Sequence, residues 1–247
     1  MFYLSVLLLT LAASSQAMTS DNINLESAGV ASTAHPLATQ AADEIYRLGG
    51  NSVDAAIAAS LVLSVVEPTM SGLGGRAIAI VRSKGGDFYG YDGMTEIPKS
   101  FVKTNNMTDF GYSTVATPGL IAMLGAMHQK HGKLPFEVLV RPAIKHAESG
   151  FHVLPGEAAR QKSAVQEIKQ NRGMTESFLK GESATLKAAQ ILKQPVLAKT
   201  LNRIALGGTD AFYTGEIARL ISEDMESNGG HVTLQDLADY RVLPGRY

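Results

Sequence analysis

The residues with the most chemical potential are a glycine-rich turn, two histidines three positions apart and a few paired carboxylates. The turn is SGLGG at 71–75. Its N–H groups could cradle an anion, but it lacks the GxGxxG spacing and the Lys-Ser/Thr of a phosphate loop. It also leads into a strand-like run instead of a helix, so a packing turn fits better. No G-x-S-x-G elbow occurs, and Ser71 beside Gly72 is only a faint substitute for such a nucleophile. His128 and His131 have the spacing of two ligands on one helix, yet no HExxH motif or third ligand accompanies them, which predicts solvated surface histidines. His35, His146, His152 and His231 are scattered and form no triad. The pairs Asp43-Glu44 and Glu223-Asp224 fall in helical segments with apolar neighbours at core spacing, as solvent-facing charges do. Neither a metal site nor a cofactor is expected.

Around these groups the chain is organised by the stretch at 47–82, RLGGNSVDAAIAASLVLSVVEPTMSGLGGRAIAIVR. Gly49-Gly50 stops one helix, because glycine enters the left-handed region without a Cβ clash, and Asn51 or Ser52 caps the next. From 53 to 66 apolar side chains fall on every face, which predicts a helix buried all round. At about fourteen residues it falls short of the roughly twenty needed to cross a bilayer. Pro68 ends it, and the run at 77–81 reads as an interior strand. A short glycine loop at 83–87 joins that run to 88–91, the pattern of a hairpin.

Earlier, 28–34 reads as a strand and 36–48 as a helix. From Pro118 onward the periodicity is helical: 119–131, 135–149, 157–170, a break, then 186–193, 195–206, 216–228 and a last short helix at 234–240. Thr233 with Asp236 resembles a capping box. The C-terminal half is therefore expected to be helix-rich.

The 247 residues suffice for a sizeable core. Twenty-two basic against twenty-three acidic residues leave a net charge of −1 without a basic block, which argues against nucleic acid as a partner. Residues 2–13 are an uncharged apolar run, and Ser15 and Ala17 are small residues where a signal peptidase reads. A signal peptide at 1–17, cleaved after Ala17, is expected, and with it a secreted or periplasmic protein with no membrane segment afterwards. The chain has no cysteine, so no disulfide helps the core.

The stretch GGNSVDAAIAASLVLSVVEPTMSGLGG at 49–75 resembles the GGNAVDAAVA…LGGGGF region of the gamma-glutamyltranspeptidase large subunit. VATPGLIAMLGAMHQKHGKLPFEVLVRPAIKHAESGFHV and LGGTDAFYTGEIARLISEDMESNGGHVTLQDLADYRV resemble two further segments of that family in the same order, so the likeness spans 28–243. It implies an α/β fold of the N-terminal-nucleophile hydrolase type, a four-layer αββα arrangement, here incomplete, with a large-subunit domain at 18–247.

The resemblance also implies a chemistry. A precursor cuts itself before a threonine, whose hydroxyl becomes the nucleophile and whose free amine serves as base; the gamma-glutamyl ester is resolved by water or an acceptor amine. The chain stops at Tyr247 before that threonine would follow, so no catalytic residue is expected in it. Expected partners are a small-subunit chain carrying the threonine and a gamma-glutamyl small molecule. Two departures concern the substrate. Aligning on Asp92 and Pro98 puts Met94 where the family has a carboxylate-binding arginine, and Thr95 replaces the usual acid. Arg76 stands where another glycine is common and could supply the missing charge. Two alternatives remain open: a non-catalytic binding or partner protein, and a non-functional remnant.

Overall fold

Asn51 begins the helix on which the others pack. Its side chain accepts from the N–H of Val53 and Asp54, and the Asp54 carboxylate returns to the Asn51 N–H, a complete capping box. In the computed structural model, which describes residues 29–103, 109–180 and 184–246, this helix is α2 (Ser52–Val66). The expected leader at 1–17 lies outside the described residues. Gly49, at φ 85°, ends the preceding helix α1 (Pro36–Arg47) as expected. Helix α2 is buried on most of its circumference, with Ile57, Leu61 and Val65 fully enclosed. Only Ser52, Ala56, Ser60 and Leu63 reach solvent, a narrow stripe. Helix α1 packs on one side of α2 and α4 (Phe136–Ser149) on another.

The hairpin forms where expected. Strands β1 (Ala77–Arg82) and β2 (Phe88–Gly93) pair antiparallel, and the late strand β7 (Leu243–Arg246) adds to β2, giving the order β1-β2-β7. Ala77, Ala79 and Val81 pack on the core, and α3 (Leu120–His131) supports both strands of the hairpin. The opposite face carries Ile78 and Ile80, 66% and 71% exposed.

The C-terminal half is helical but divided differently from the periodicity. Instead of one helix at 157–170 there are α5 (Pro155–Ser163) and α6 (Val165–Lys169), interrupted at Ala164. The break at 171–178 is helix α7 (Arg172–Phe178), capped by the Asn171 side chain. No helix forms at 186–193. Ala189 takes φ 64°, Val153 exchanges backbone hydrogen bonds with Ala189 and Gln190, and β6 (Ile191–Leu192) pairs with β3 (Phe151–His152), so tertiary pairing overrides the local pattern. A two-stranded ladder of β4 (Leu179–Lys180) and β5 (Ala184–Thr185) lies between them in sequence. Helix α8 runs Pro195–Tyr213 with non-helical angles at Gly208, the expected glycine stop having become a kink. Helix α9 (Glu216–Ser227) and α10 (Leu234–Asp239) follow, the latter started by the predicted Thr233/Asp236 capping box.

The strand expected at 28–34 does not form a ladder over 29–34, which instead lies against α2 and Tyr46, with Val30 exposed. Among the described residues there is one sheet of three strands covered by helices on one face. The second sheet of a four-layer arrangement is not among them. No described helix is long and apolar enough to cross a membrane.

Candidate functional site

The glycine loop at 71–75 spends its backbone on the scaffold. The Gly75 N–H donates to the Gly72 carbonyl at 2.9 Å, and the Gly75 carbonyl accepts from both Gly119 and Leu120 N–H at 3.1 Å, holding the start of α3. It is a packing turn, with a carbonyl at a helix N-terminus where an anion cradle would present N–H groups. The approach is close throughout: a Cβ on Gly119 would stand 2.2 Å from the Gly93 carbonyl oxygen, and one on Gly93 would stand 2.6 Å from Met123. Glycine at both positions lets the end of β2 lie directly on α3.

That contact fixes where the two sequence-predicted site residues go. Ala77 and Gly93 are register partners. Arg76 immediately precedes the first and Met94 immediately follows the second, so both sit at the same end of the hairpin. Arg76 is exposed and makes no ion pair or side-chain hydrogen bond with the described residues. Met94 is held by its backbone: its N–H donates to Asp92 Oδ1 at 2.9 Å and its carbonyl accepts from the Tyr240 hydroxyl at 2.7 Å. Its side chain is 36% exposed.

The loop after Met94 is tied to α10. Glu96 bridges Thr117, the Lys99 N–H donates to Asp236 Oδ1 at 3.0 Å, and Lys99 Nζ pairs with Asp239. For Asp236, burial would raise the pKa, but hydrogen bonds from Lys99 and Thr233 outweigh it and hold the carboxyl below its usual value. Burial, reinforced by the charges of Glu96 and Asp92, pushes Tyr240 up to about 12, so this phenol stays protonated and donates to Met94. The result is a rigid rim carrying one unpaired guanidinium beside an uncharged thioether.

The other expectations fare unevenly. Asp43, Glu44, Glu223 and Asp224 lie on partly or fully exposed positions, as solvated charges. His128 and His131 are not solvated surface groups. His128 Nε2 meets the Leu134 carbonyl at 2.7 Å and packs its ring on Phe136; His131 lies against Tyr89 and Tyr91 with its Nε2 buried and unpartnered. Both faces of α3 near its end are occupied by the hairpin and α4, which periodicity on one helix does not reveal. No cluster of three His, Cys, Asp or Glu side chains suited to a metal occurs among the described residues.

Sequence reasoning missed a buried ionic network. Glu67, at the end of α2, meets Arg160 of α5; Arg160 also pairs with the fully buried Glu157 at 3.0 Å and donates to Thr69 Oγ1 at 2.8 Å. Thr69 and Gln161 both donate to Glu157, at 2.5 and 2.9 Å. Its trace in the sequence is Glu157, Arg160 and Gln161 at i, i+3 and i+4 on one helix face, which resembles ordinary surface charge.

Comparison with known proteins bears on the same segments. The family profile described as Gamma-glutamyltranspeptidase matches residues 38–244. The "Glutathione hydrolase proenzyme" of Escherichia coli (strain K12) is 33% identical over 225 residues, covering 87% of this chain and 39% of that protein. "Glutathione hydrolase 2" of Arabidopsis thaliana is 34% identical over 203 residues, 80% of this chain and 35% of that one. The chain thus spans less than two fifths of the length of these curated relatives. Among solved structures, Helicobacter pylori gamma-glutamyltranspeptidase superposes with a TM-score of 0.84 at 32% identity, over 88% of this chain and 65% of that chain. The mixed α/β arrangement of helices on one face of the β1-β2-β7 sheet is therefore part of the fold of the N-terminal-nucleophile hydrolases of this type, and the chain belongs to the gamma-glutamyltranspeptidase family.

Proposed function

We propose that this chain is the large-subunit half of a hydrolase or transferase acting on gamma-glutamyl or similar amide bonds, and that Arg76 grips the substrate α-carboxylate. The observation that supports this is the hairpin end, where an unpaired guanidinium lies at the same end as Met94, which the family resemblance aligns with a carboxylate-binding arginine. A guanidinium can hold a carboxylate through two parallel hydrogen bonds, whereas a thioether offers neither charge nor donor. The nucleophile is a threonine hydroxyl on a small-subunit segment. It attacks the amide carbonyl, the amine leaves with a proton, and water or an acceptor amine then cleaves the ester. The exposed apolar face of β1, with Ile78 and Ile80, supports docking of that segment. Export through the leader at 1–17 would put the enzyme outside the cytoplasm, and the mass of the mature N-terminus tests cleavage after Ala17.

The activity test combines the purified chain with a small-subunit chain of a relative that begins with threonine, using a chromogenic gamma-glutamyl amide. The chain alone is expected to give no turnover and the mixture to give turnover. In the mixture Arg76→Met raises KM by about ten- to a hundredfold, the loss of a charge-assisted pair. Turnover by the isolated chain, or an unchanged KM in Arg76→Met, would overturn the respective halves of the proposal. Saturable binding of a gamma-glutamyl compound with no turnover in any mixture would favour the non-catalytic binding role that Met94 suggests.

A further inference from the structure

The turn after α9 joins an asparagine to a glycine. Asn228 is the one asparagine in the sequence that a glycine follows. Both residues are exposed, and Gly229 takes φ 74°, a conformation that suits a residue without Cβ. The turn is closed by the neighbours of Gly229: the Asn228 N–H donates to the Met225 carbonyl at 3.2 Å and the Gly230 N–H donates to it at 2.7 Å. The Gly229 N–H between them donates to no described residue. Joined to the Asn228 Cγ, this nitrogen closes a five-membered ring, and no side chain on Gly229 screens it.

The Asn228 side chain is meanwhile a latch. Its Nδ2 donates to the Asp224 carbonyl at 2.8 Å and to Asp224 Oδ1 at 3.1 Å. Asp224 Oδ2 accepts from the Tyr112 hydroxyl at 3.0 Å, and that hydroxyl accepts from Asn171 Nδ2 at 3.0 Å. Asn171 Oδ1 in turn caps α7 by accepting from the Met174 N–H at 2.9 Å. A relay of hydrogen bonds therefore runs from the end of α9 through Tyr112 to the start of α7.

We infer that Asn228 is a site of spontaneous deamidation, and that the reaction loosens this relay. The Gly229 nitrogen attacks Asn228 Cγ. A C–N bond forms as the Cγ–Nδ2 bond breaks, the proton from Gly229 departs with Nδ2 as ammonia, and a succinimide remains. Water then adds to one of the two ring carbonyls and leaves aspartate or isoaspartate at 228. In sum an amide and water become a carboxylic acid and ammonia, with no oxidant or cofactor. The two bonds to Asp224 oppose ring closure, but they belong to the exposed last turn of a helix, which opens more readily than the core. The product places a negative charge at the negative end of the α9 dipole and four residues after Asp224, a like-charge i, i+4 pair. A carboxylate also has no donor for the Asp224 oxygens that the amide nitrogen held. Asp224 is then repelled where it was anchored, and its hold on Tyr112 weakens. The inference does not rest on the gamma-glutamyl proposal and requires no second chain.

The purified chain is incubated at neutral pH and digested with trypsin at intervals, and the 220–241 peptide is followed by mass spectrometry. A growing fraction with an acid in place of the amide at 228 is expected, whereas Asn228→Gln, which would have to close a larger ring, stays unchanged. No conversion in the folded chain over a span that fully converts the free peptide SNGG would overturn the site, as would equal conversion in Asn228→Gln. The second readout is hydrogen exchange in the last turn of α9 and in 110–115. In Asn228→Asp it should be about two- to tenfold faster than in the unaltered chain. It should also be faster than in Asn228→Ala, which loses the amide without gaining a charge. Exchange in Asn228→Asp no faster than in Asn228→Ala would overturn the loosening by charge.

Discussion

Replacing Asp54 by alanine should destabilise the fold severely although the residue is far from any chemistry. Its carboxylate is fully buried and accepts four hydrogen bonds from three backbone N–H groups. One is the Asn51 N–H at 3.0 Å, the return half of the capping box; the others are Lys133 at 3.0 and 3.2 Å and Leu134 at 3.3 Å, in the connection between α3 and α4. Losing a cap costs about 1 kcal/mol. The exposed Lys133 can turn its N–H to water, so that bond counts only at its net value of about 1 kcal/mol. The half-buried Leu134 N–H is left without an acceptor, at about 1–2 kcal/mol. The expected total is about 3–4 kcal/mol, a large part of the 5–15 kcal/mol typical of a domain. Urea unfolding followed by far-UV circular dichroism measures it, with an unchanged m-value showing that two-state behaviour persists. A loss below about 1 kcal/mol would refute the idea that Asp54 locks α2 to the α3–α4 connection.

Two further outcomes are expected. Burial is the main cause that lowers the pKa of His35, His131 and His146, with His146 adding to the effect at His35 and Glu157 opposing it. A group whose folded pKa is depressed below the unfolded value near 6.5 binds fewer protons when folded, so stability is full above that pH and falls below it. The urea midpoint should therefore drop between pH 7.5 and 5.5. His35→Asn keeps the side-chain cap that Nδ1 gives the Leu37 N–H at 3.1 Å and should flatten the slope; an identical slope would exclude His35 as a contributor. Tyr240→Phe removes the donor to the Met94 carbonyl and should cost about 1 kcal/mol. In a reconstituted enzyme it should also raise KM more than it lowers kcat, which steady-state kinetics would read.

What was legible in the sequence is what local physics decides. The glycine stop, the Asn51 cap, the buried character of α2, the hairpin and the Thr233/Asp236 box all depend on residues within a few positions of one another. What was not legible depends on partners far along the chain. The segment at 186–193 has helical spacing but becomes β6 because Phe151 pairs with Leu192. His131 reads as a solvated surface histidine until Tyr89 and Tyr91 are brought over it. The Glu67–Arg160–Glu157 network joins α2 to α5 across 93 positions, and burial, not composition, distinguishes it from a solvated charge cluster. At the candidate site Arg76 and Met94 were singled out from the family resemblance alone, and their placement at one end of the hairpin awaited the register of Ala77 with Gly93.

The run AIAIVR is apolar on both faces, which is how strands buried on both sides read. Of β1, Ala77, Ala79 and Val81 meet the core, while Ile78 and Ile80 stay largely exposed, and among the described residues β1 forms an edge of its sheet. An exposed apolar edge strand invites pairing or coverage, and covering these two side chains would stabilise by about 3 kcal/mol. A layer placed there reaches the hairpin end at Arg76 and Met94, because both follow directly from the same register. The surface that calls for a second layer and the cation proposed to hold substrate are thus neighbours in the chain, Arg76 standing directly before β1. Ile80→Lys should then weaken association with a small-subunit chain while leaving the fold of the isolated chain intact, since Ile80 contributes little to its core. Loss of the fold in Ile80→Lys, or undiminished association, would separate the exposed face from the proposed site.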